Sequence, residues 1–196
     1  DESLTVTVAG LANAVTGSPA AVAATVLDND PPPAVTLALS SATLAEGGGS
    51  VGVAATLSTA SARDVTVTLG FSGAAARGAD YTAPAVILIP AGSTSAGVVL
   101  SALEDALDES AEVVVVGIAG LANAATGATG SASATIADND PPPTVTLSLA
   151  TNGLAGDRLP EPTGVATLTA TLSTVSGQDV AVTLTFGGTA TVGLDY

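Results

Sequence analysis

Residues 137–149 read ADNDPPPTVTLSL, and residues 27–39 read LDNDPPPAVTLAL. Each stretch joins an acid–amide–acid triplet to three prolines and then to a run in which apolar and small polar residues alternate. Alternation of period two is the pattern of a half-buried β-strand. Three prolines before it hold the chain extended, at roughly 3 Å per residue, with no flexible hinge. The two copies lie 110 residues apart, so the stretch marks the seam of a repeated unit.

Working outward from the seam, the repeat extends over the whole chain. GLANA recurs at 10 and 120, and LSTASARDVTVTL at 57–69 returns as LSTVSGQDVAVTL at 172–184, now 115 residues on. The five extra residues fall where SSATLAEGGGSVGV becomes the longer ATNGLAGDRLPEPTGVATL. Glu46 therefore matches Glu161, and Asp80-Tyr81 matches Asp195-Tyr196. Residues 34–140 are expected to form one complete repeat, residues 1–30 the C-terminal strands of a preceding one, and residues 144–196 the N-terminal half of a following one.

Seven alternating or apolar runs fill the complete repeat, at 35–40, 51–58, 64–71, 85–89, 96–103, 112–119 and 131–137. Seven short strands with turn signals between them predict an all-β fold of tandem immunoglobulin-like seven-stranded β-sandwiches. In such a sandwich strands 4 and 5 are expected as an edge hairpin. The apolar residues are mostly Ala, Val and Leu, with two Phe, two Tyr and no Trp, so the core is one of small side chains. Phe71 and Phe186 are expected in it, and Tyr81 and Tyr196 as packing anchors with wet hydroxyls. The longest apolar run, VVVVGIAGLA at 113–122, is too short to span a bilayer, which predicts no membrane insertion.

With no Cys and no His, disulfides, thiolate metal sites and the commonest general base are absent. Three Arg and no Lys against 18 acids give a net charge of −15, which repels nucleic acid and suits a cation. Strand direction then sorts the acids. If successive strands alternate, the loops after strands 1, 3 and 5 and the end of strand 7 share one end of the sandwich. Nine of the ten acids in the repeat fall there: Glu46, Asp80, Glu104, Asp105, Asp108, Glu109, Glu112, Asp138 and Asp140. Asp64 alone belongs to the other end. Solubilising surface charge would not avoid one end or recur at matched positions.

A like-charged pair about 5 Å apart costs roughly 3 kcal/mol at an effective dielectric near 20. Several pairs would rival the stability of a domain, so the cluster calls for a neutralising ion. Oxygen donors from several loops, without nitrogen or sulfur, select Ca2+ over softer metals and over the stricter octahedron of magnesium. Neither an EF-hand nor the glycine-rich β-helix nonapeptide fits, because DNDPPP lacks the required Gly and closing Glu and GGGS at 47–50 carries no Asp.

The AEGG turn with Glu46, the GADY motif with Asp80 and Tyr81, IPAG at 89–92, EDALDESAE at 104–112 and the closing ADND resemble the Calx-beta domain. That family occurs in sodium–calcium exchangers and in very large bacterial surface proteins. The resemblance implies calcium ligands at Glu46, Asp80, Glu104, Asp105, Glu109, Glu112, Asp138 and Asp140, with Asn139 standing where some members have another acid. It gives Asp108 no role. A second, poorer site is expected where incomplete ends of two neighbours meet, from Glu161 and Asp195 with Glu2, Asp28 and Asp30.

The function these readings predict is a non-enzymatic extracellular structural repeat, secreted to or held at a bacterial cell surface, with calcium ions and neighbouring repeats or copies as partners. It is either a calcium-stiffened adhesin spacer or the body of a filament built by head-to-tail strand complementation. A calcium-sensing regulatory module would need a flanking transporter segment. A carbohydrate-binding or hydrolytic module would need exposed aromatic platforms, and both alternatives lack these features in the sequence.

Overall fold

The computed structural model describes residues 1–152, 158–160, 163–191 and 193. Every regular element in it is a strand: β1 (Glu2–Thr7), β2 (Ala21–Val26), β3 (Ala34–Leu39), β4 (Thr43–Ala45), β5 (Ser50–Leu57), β6 (Val65–Gly73), β7 (Tyr81–Thr82), β8 (Val86–Ile89), β9 (Ser95–Ala102), β10 (Glu112–Ala122), β11 (Ala125–Thr126), β12 (Ser131–Ala137), β13 (Val145–Thr151) and β14 (Ala166–Leu172).

Residues 34–137 build a sandwich of two five-stranded sheets, ordered β4-β12-β10-β6-β8 and β11-β3-β5-β9-β7. Alternation decides what lies between them. In β5 the residues Val51, Val53, Ala55 and Leu57 are buried, and Val65, Val67 and Leu69 of β6 face them from the other sheet. Val114 and Val116 of β10 and Ile87 and Ile89 of β8 complete the layer. Each such aliphatic side chain contributes roughly 1.5–3 kcal/mol by leaving water. Tyr81 is the largest buried side chain, 1 % exposed, so it anchors the core but its expected wet hydroxyl does not occur. Phe71 sits half-buried at the core's margin, 6.0 Å from Tyr81 between ring centroids, with the Arg77 guanidinium 4.9 Å over its ring. Phe186, expected in a core, is 69 % exposed.

All seven expected strands are present, as β3, β5, β6, β8, β9, β10 and β12. The expected edge hairpin of strands 4 and 5 is not. β8 pairs with β6 and β9 pairs with β5, so the two lie in opposite sheets. The turn Pro90–Ser93 carries the chain across, and it is tied down from below: Asp64 Oδ1 accepts from Ala91 N at 2.8 Å, and Ser61 O accepts from Gly92 N at 2.8 Å. The Asp64 carbonyl also accepts from Asn123 Nδ2 at 2.8 Å. The lone acid of this end therefore works as a cap for its loops.

The hairpins β1–β2 and β13–β14 stand outside the two sheets. Glu2 pairs with Val26 as Glu112 pairs with Ile136, which reproduces the β10–β12 register at an offset of 110. Asn13 and Asn123 share left-handed backbone, φ 56° and 63°. Ser58 Oγ accepts from Ala34 N at 2.9 Å, and its match Ser173 accepts from Thr144 N at 3.0 Å. Burial does not repeat. Val114 and Val116 are 0 % exposed, whereas their matches Leu4 and Val6 are 56 % and 57 % exposed. Residues 180–187, matched to β6, form no strand.

Candidate metal centre

Sheet register delivers the acids to one end. After β3 the chain kinks at Ser40, whose hydroxyl accepts from Gly52 N at 2.8 Å, and crosses to the other sheet as β4. There β4 runs parallel to β12 with Ala45 opposite Ala137. The next residues of the two strands are Glu46 and Asp138, and Glu46 N donates to Ala137 O at 3.0 Å. Parallel pairing at this one edge thus sets two carboxyls side by side. Asp140 joins them through an Asx turn in which its N–H donates to Asp138 Oδ1 at 3.3 Å. Glu46, Asp138 and Asp140 each offer a carboxylate oxygen within 4.8 Å of one another.

The remaining acids arrive on neighbouring strand ends. Tyr81 pairs with Ala102, so Asp80 lies opposite Leu103, whose N–H donates to Asp80 O at 2.9 Å. The Asp80 side chain closes its own loop by accepting from Ala76 N. Asp105 Oδ1 accepts from Leu107 N at 2.8 Å, which turns the 104–111 loop. Glu112 opens β10 beside Asp80 and shares a side-chain hydrogen bond with it.

Glu46 is 6 % exposed, and its carboxyl is pushed up to about 7. Burial is the main cause, followed by the hydrogen bond to Asp138 and the charges of Asp105, Asp138 and Asp140. Glu109 is held above the usual carboxylate range by burial and then by Asp105, Asp80 and Asp138. Glu112 is raised by burial, by the hydrogen bond to Asp80, and by the charges of Asp80 and Glu109. Asp140 is raised by burial and by Glu104, Asp138, Asp105 and Asp108. The causes overlap through Asp105 and Asp138, so the groups form one electrostatic unit with two lobes, Glu46–Asp138–Asp140 and Asp80–Glu109–Glu112.

Such a unit could hold a hard cation. Asp140 Oδ2 is buried with no hydrogen-bond partner among the described residues. Every donor is an oxygen, and the charges that act on Glu46, Glu109, Glu112 and Asp140 are all negative. A divalent cation would satisfy the orphan oxygen and reverse each upward shift at once.

The structure brings together Glu46, Asp138 and Asp140 as one group and sets Asp80, Glu104, Asp105, Glu109 and Glu112 around it. Glu104 is engaged differently from its neighbours. Its Oε1 accepts from Asn139 Nδ2 at 3.3 Å, and its Oε2 lies 3.2 Å from where a side chain on Gly47 would begin. Asn139 therefore orients an acid by donating to it, and Gly47 leaves room for that acid, two roles composition alone does not signal. Glu2, Asp28 and Asp30 lie exposed on the β1–β2 hairpin, where Asp30 N donates to Asp28 Oδ1 at 3.1 Å, the Asx turn of Asp138–Asp140 repeated. Glu161 and Asp195 lie outside the described residues.

No protein-family model matches the sequence, and no curated protein is significantly similar to it. Among solved structures the chain is similar to CBD12 from CALX1.2, at 16% identity and TM-score 0.49, over 55% of this chain and 44% of that one. It is similar to the apo-form Calx CBD1 domain at 16% identity and TM-score 0.47, over 54% of this chain and 98% of that one. A third similar structure is the calcium binding domain CBD12 of CALX1.1, at 13% identity and TM-score 0.45, covering 68% of each chain. The chain spans less than half the length of the first of these.

Proposed function

We propose that the chain is a calcium-binding structural module, a sandwich that calcium stiffens at the end where the next repeat begins. The observation that carries this reading is the parallel β4–β12 register, which buries Glu46 against Asp138 and Asp140 and leaves Asp140 Oδ2 without a partner. Burying a carboxyl beside two others has no folding advantage of its own. It makes sense as one wall of a cage whose other wall is Asp80, Glu109 and Glu112, with Asp105 between them and Glu104 held by Asn139. The oxygen-only donor set from four loops favours calcium. The sequence resemblance to Calx-beta repeats supports the same ligands.

Because Asp138–Asp140 leads straight into Pro141–Pro143, an ion held there stiffens the seam together with the domain. Extracellular calcium modules work in the 10⁻⁴–10⁻³ M range, roughly, which suits a secreted bacterial surface array better than the cytosol. The chain is read as spacer or filament body and not as an enzyme, since the cage presents neither a nucleophile–base pair nor an aromatic platform. The filament version rests on a separate observation, the apolar faces of β1–β2 and β13–β14, where Leu4, Val22, Leu147 and Leu149 are all more than half exposed.

The test is thermal melting with calcium and with chelator. A site at about 100 times its Kd adds roughly 2.7 kcal/mol, so chelator should lower Tm by several degrees. Glu109→Gln with Asp138→Asn should remove most of the difference. Identical melting curves in calcium and chelator would overturn the reading.

A further inference from the structure

Asp108 is the acid for which the cage has no use, and it is the one the following repeat has taken. Its main chain and side chain are both held by the turn Ser176–Gln178. Ser176 Oγ donates to Asp108 Oδ2 at 2.9 Å, Gly177 N donates to Asp108 O at 3.0 Å, and Gln178 Nε2 reaches Asp108 Oδ1 at 3.5 Å. Asp108 and Ser176 form a parallel bridge, and Ser110 Oγ donates to Gln178 Oε1 at 3.3 Å. The turn is itself fixed, because Gln178 N donates to Ser176 Oγ at 3.1 Å.

Next to this contact lies a member of the cage. A side chain starting on Gly177 would stand 2.8 Å from Glu109 Cγ, 3.0 Å from Glu109 Oε1 and 3.3 Å from Leu107 Cδ2. Gly177 has ordinary negative φ, so glycine is needed there for space and not for conformation. Through the repeat, Ser176-Gly177-Gln178 matches Ser61-Ala62-Arg63, which lies at the end of the sandwich remote from the acids. The neutral end of one repeat is thus seated on the acidic end of the one before it, and Gly replaces Ala where Glu109 passes.

We propose that the turn Ser176–Gln178 is a positioning element of the calcium site: it clamps the 105–110 loop through Asp108 and fixes where Glu109 stands, so a following repeat tunes the affinity of the repeat before it. This rests on the calcium reading above. The geometry separates two tasks within five residues. Asp108 spends its carboxylate on the neighbour, whereas Asp105 acts by its charge on Glu46, and Glu109 feels the charges of Asp105, Asp80 and Asp138. Partners that orient ligands without touching the metal typically change affinity by about 10–100-fold.

Calcium titration of the full chain by calorimetry tests this with three variants. Gly177→Val pushes Glu109 aside, and Ser176→Ala with Gln178→Ala removes the clamp without adding bulk. Each should weaken calcium binding by about tenfold, while Ala62→Val at the matched position leaves it within about twofold. Amide hydrogen exchange of residues 105–110, followed in chelator, supplies a readout that needs no metal: it should be faster in both turn variants. Wild-type affinity and wild-type exchange in those variants would overturn the positioning role and leave the calcium reading standing. A wild-type chain that binds no calcium would overturn both.

Discussion

A glutamate that is 6 % exposed beside two aspartates has a measurable signature in the absence of an ion. Folded Glu46 keeps its proton up to about pH 7, against an ordinary value of 4.5. Between those values the folded chain binds more protons than the unfolded chain, so stability falls as pH rises through the window. The contribution is complete below about pH 4.5 and gone above about 7. Glu109, Glu112 and Asp140 shift in the same direction and add to the trend. In chelator, Tm should therefore be several degrees higher at pH 5 than at pH 8, and Glu46→Gln should flatten the slope. A Tm that rises from pH 5 to 8 in chelator would contradict the burial of Glu46. The sequence places these acids at one end because strand direction sorts loops by parity, a property of connectivity that needs no coordinates. It did not disclose that Asn139 serves as a donor to Glu104 or that Tyr81 is enclosed, since both depend on which side chains the folded loops set within hydrogen-bonding or packing distance.

Among the elements, the seven long strands were legible because their alternation matches their burial, as Val51, Val53, Ala55 and Leu57 show along β5. The short edge strands were not. β4 has three residues and β7 and β11 two each, too few for a period to register. That omission matters, because β4 is the strand whose parallel pairing with β12 creates the buried wall of the cage. The misplaced edge hairpin has a similar origin, since alternation says that β8 and β9 are strands and nothing about which sheet each joins. The repeat offers an internal control on what burial is worth. Val116 and Val6 occupy matched positions, 0 % and 57 % exposed. Val116→Ala should cost about 2 kcal/mol in denaturant unfolding, from lost transfer energy and the cavity left behind, whereas Val6→Ala in the dilute chain should cost under about 0.5 kcal/mol. Equal costs would mean that the β1–β2 face is covered in solution.

At the scale of the whole molecule, the observed topology still admits a joint between chains, for a different reason from the one the sequence suggested. β8 closes one sheet's edge and β9 stands next to the other's, on the same side of the sandwich. A sandwich lacking both would keep β3 and β5 in one sheet and β6, β10 and β12 in the other. The counterparts of those strands are β13, β14 and residues 180–187 from one chain and β1 and β2 from the next. Their exposed apolar faces, Leu147 and Leu149 on one side and Leu4 and Val6 on the other, are what such a joint would bury. The β10–β6 register then names the contacts. Val115 pairs with Ser72 and Val116 with Phe71, which at the repeat offsets become Thr5 with Gly187 and Val6 with Phe186. A head-to-tail contact of this kind leaves a complementary end on each chain, so it would propagate unless the rotation closes a ring. The chain has no cysteine, so a Thr5→Cys, Gly187→Cys double variant introduces the sole thiols. Oxidised at high protein concentration, it should give a ladder of disulfide-linked oligomers on a non-reducing gel, with calcium and without it, because opposed residues of antiparallel strands bring Cα atoms within disulfide reach, about 4.5–5.5 Å. Monomer alone, with both thiols still reactive, would defeat the filament version and leave the covalent spacer as the form in which these repeats are used.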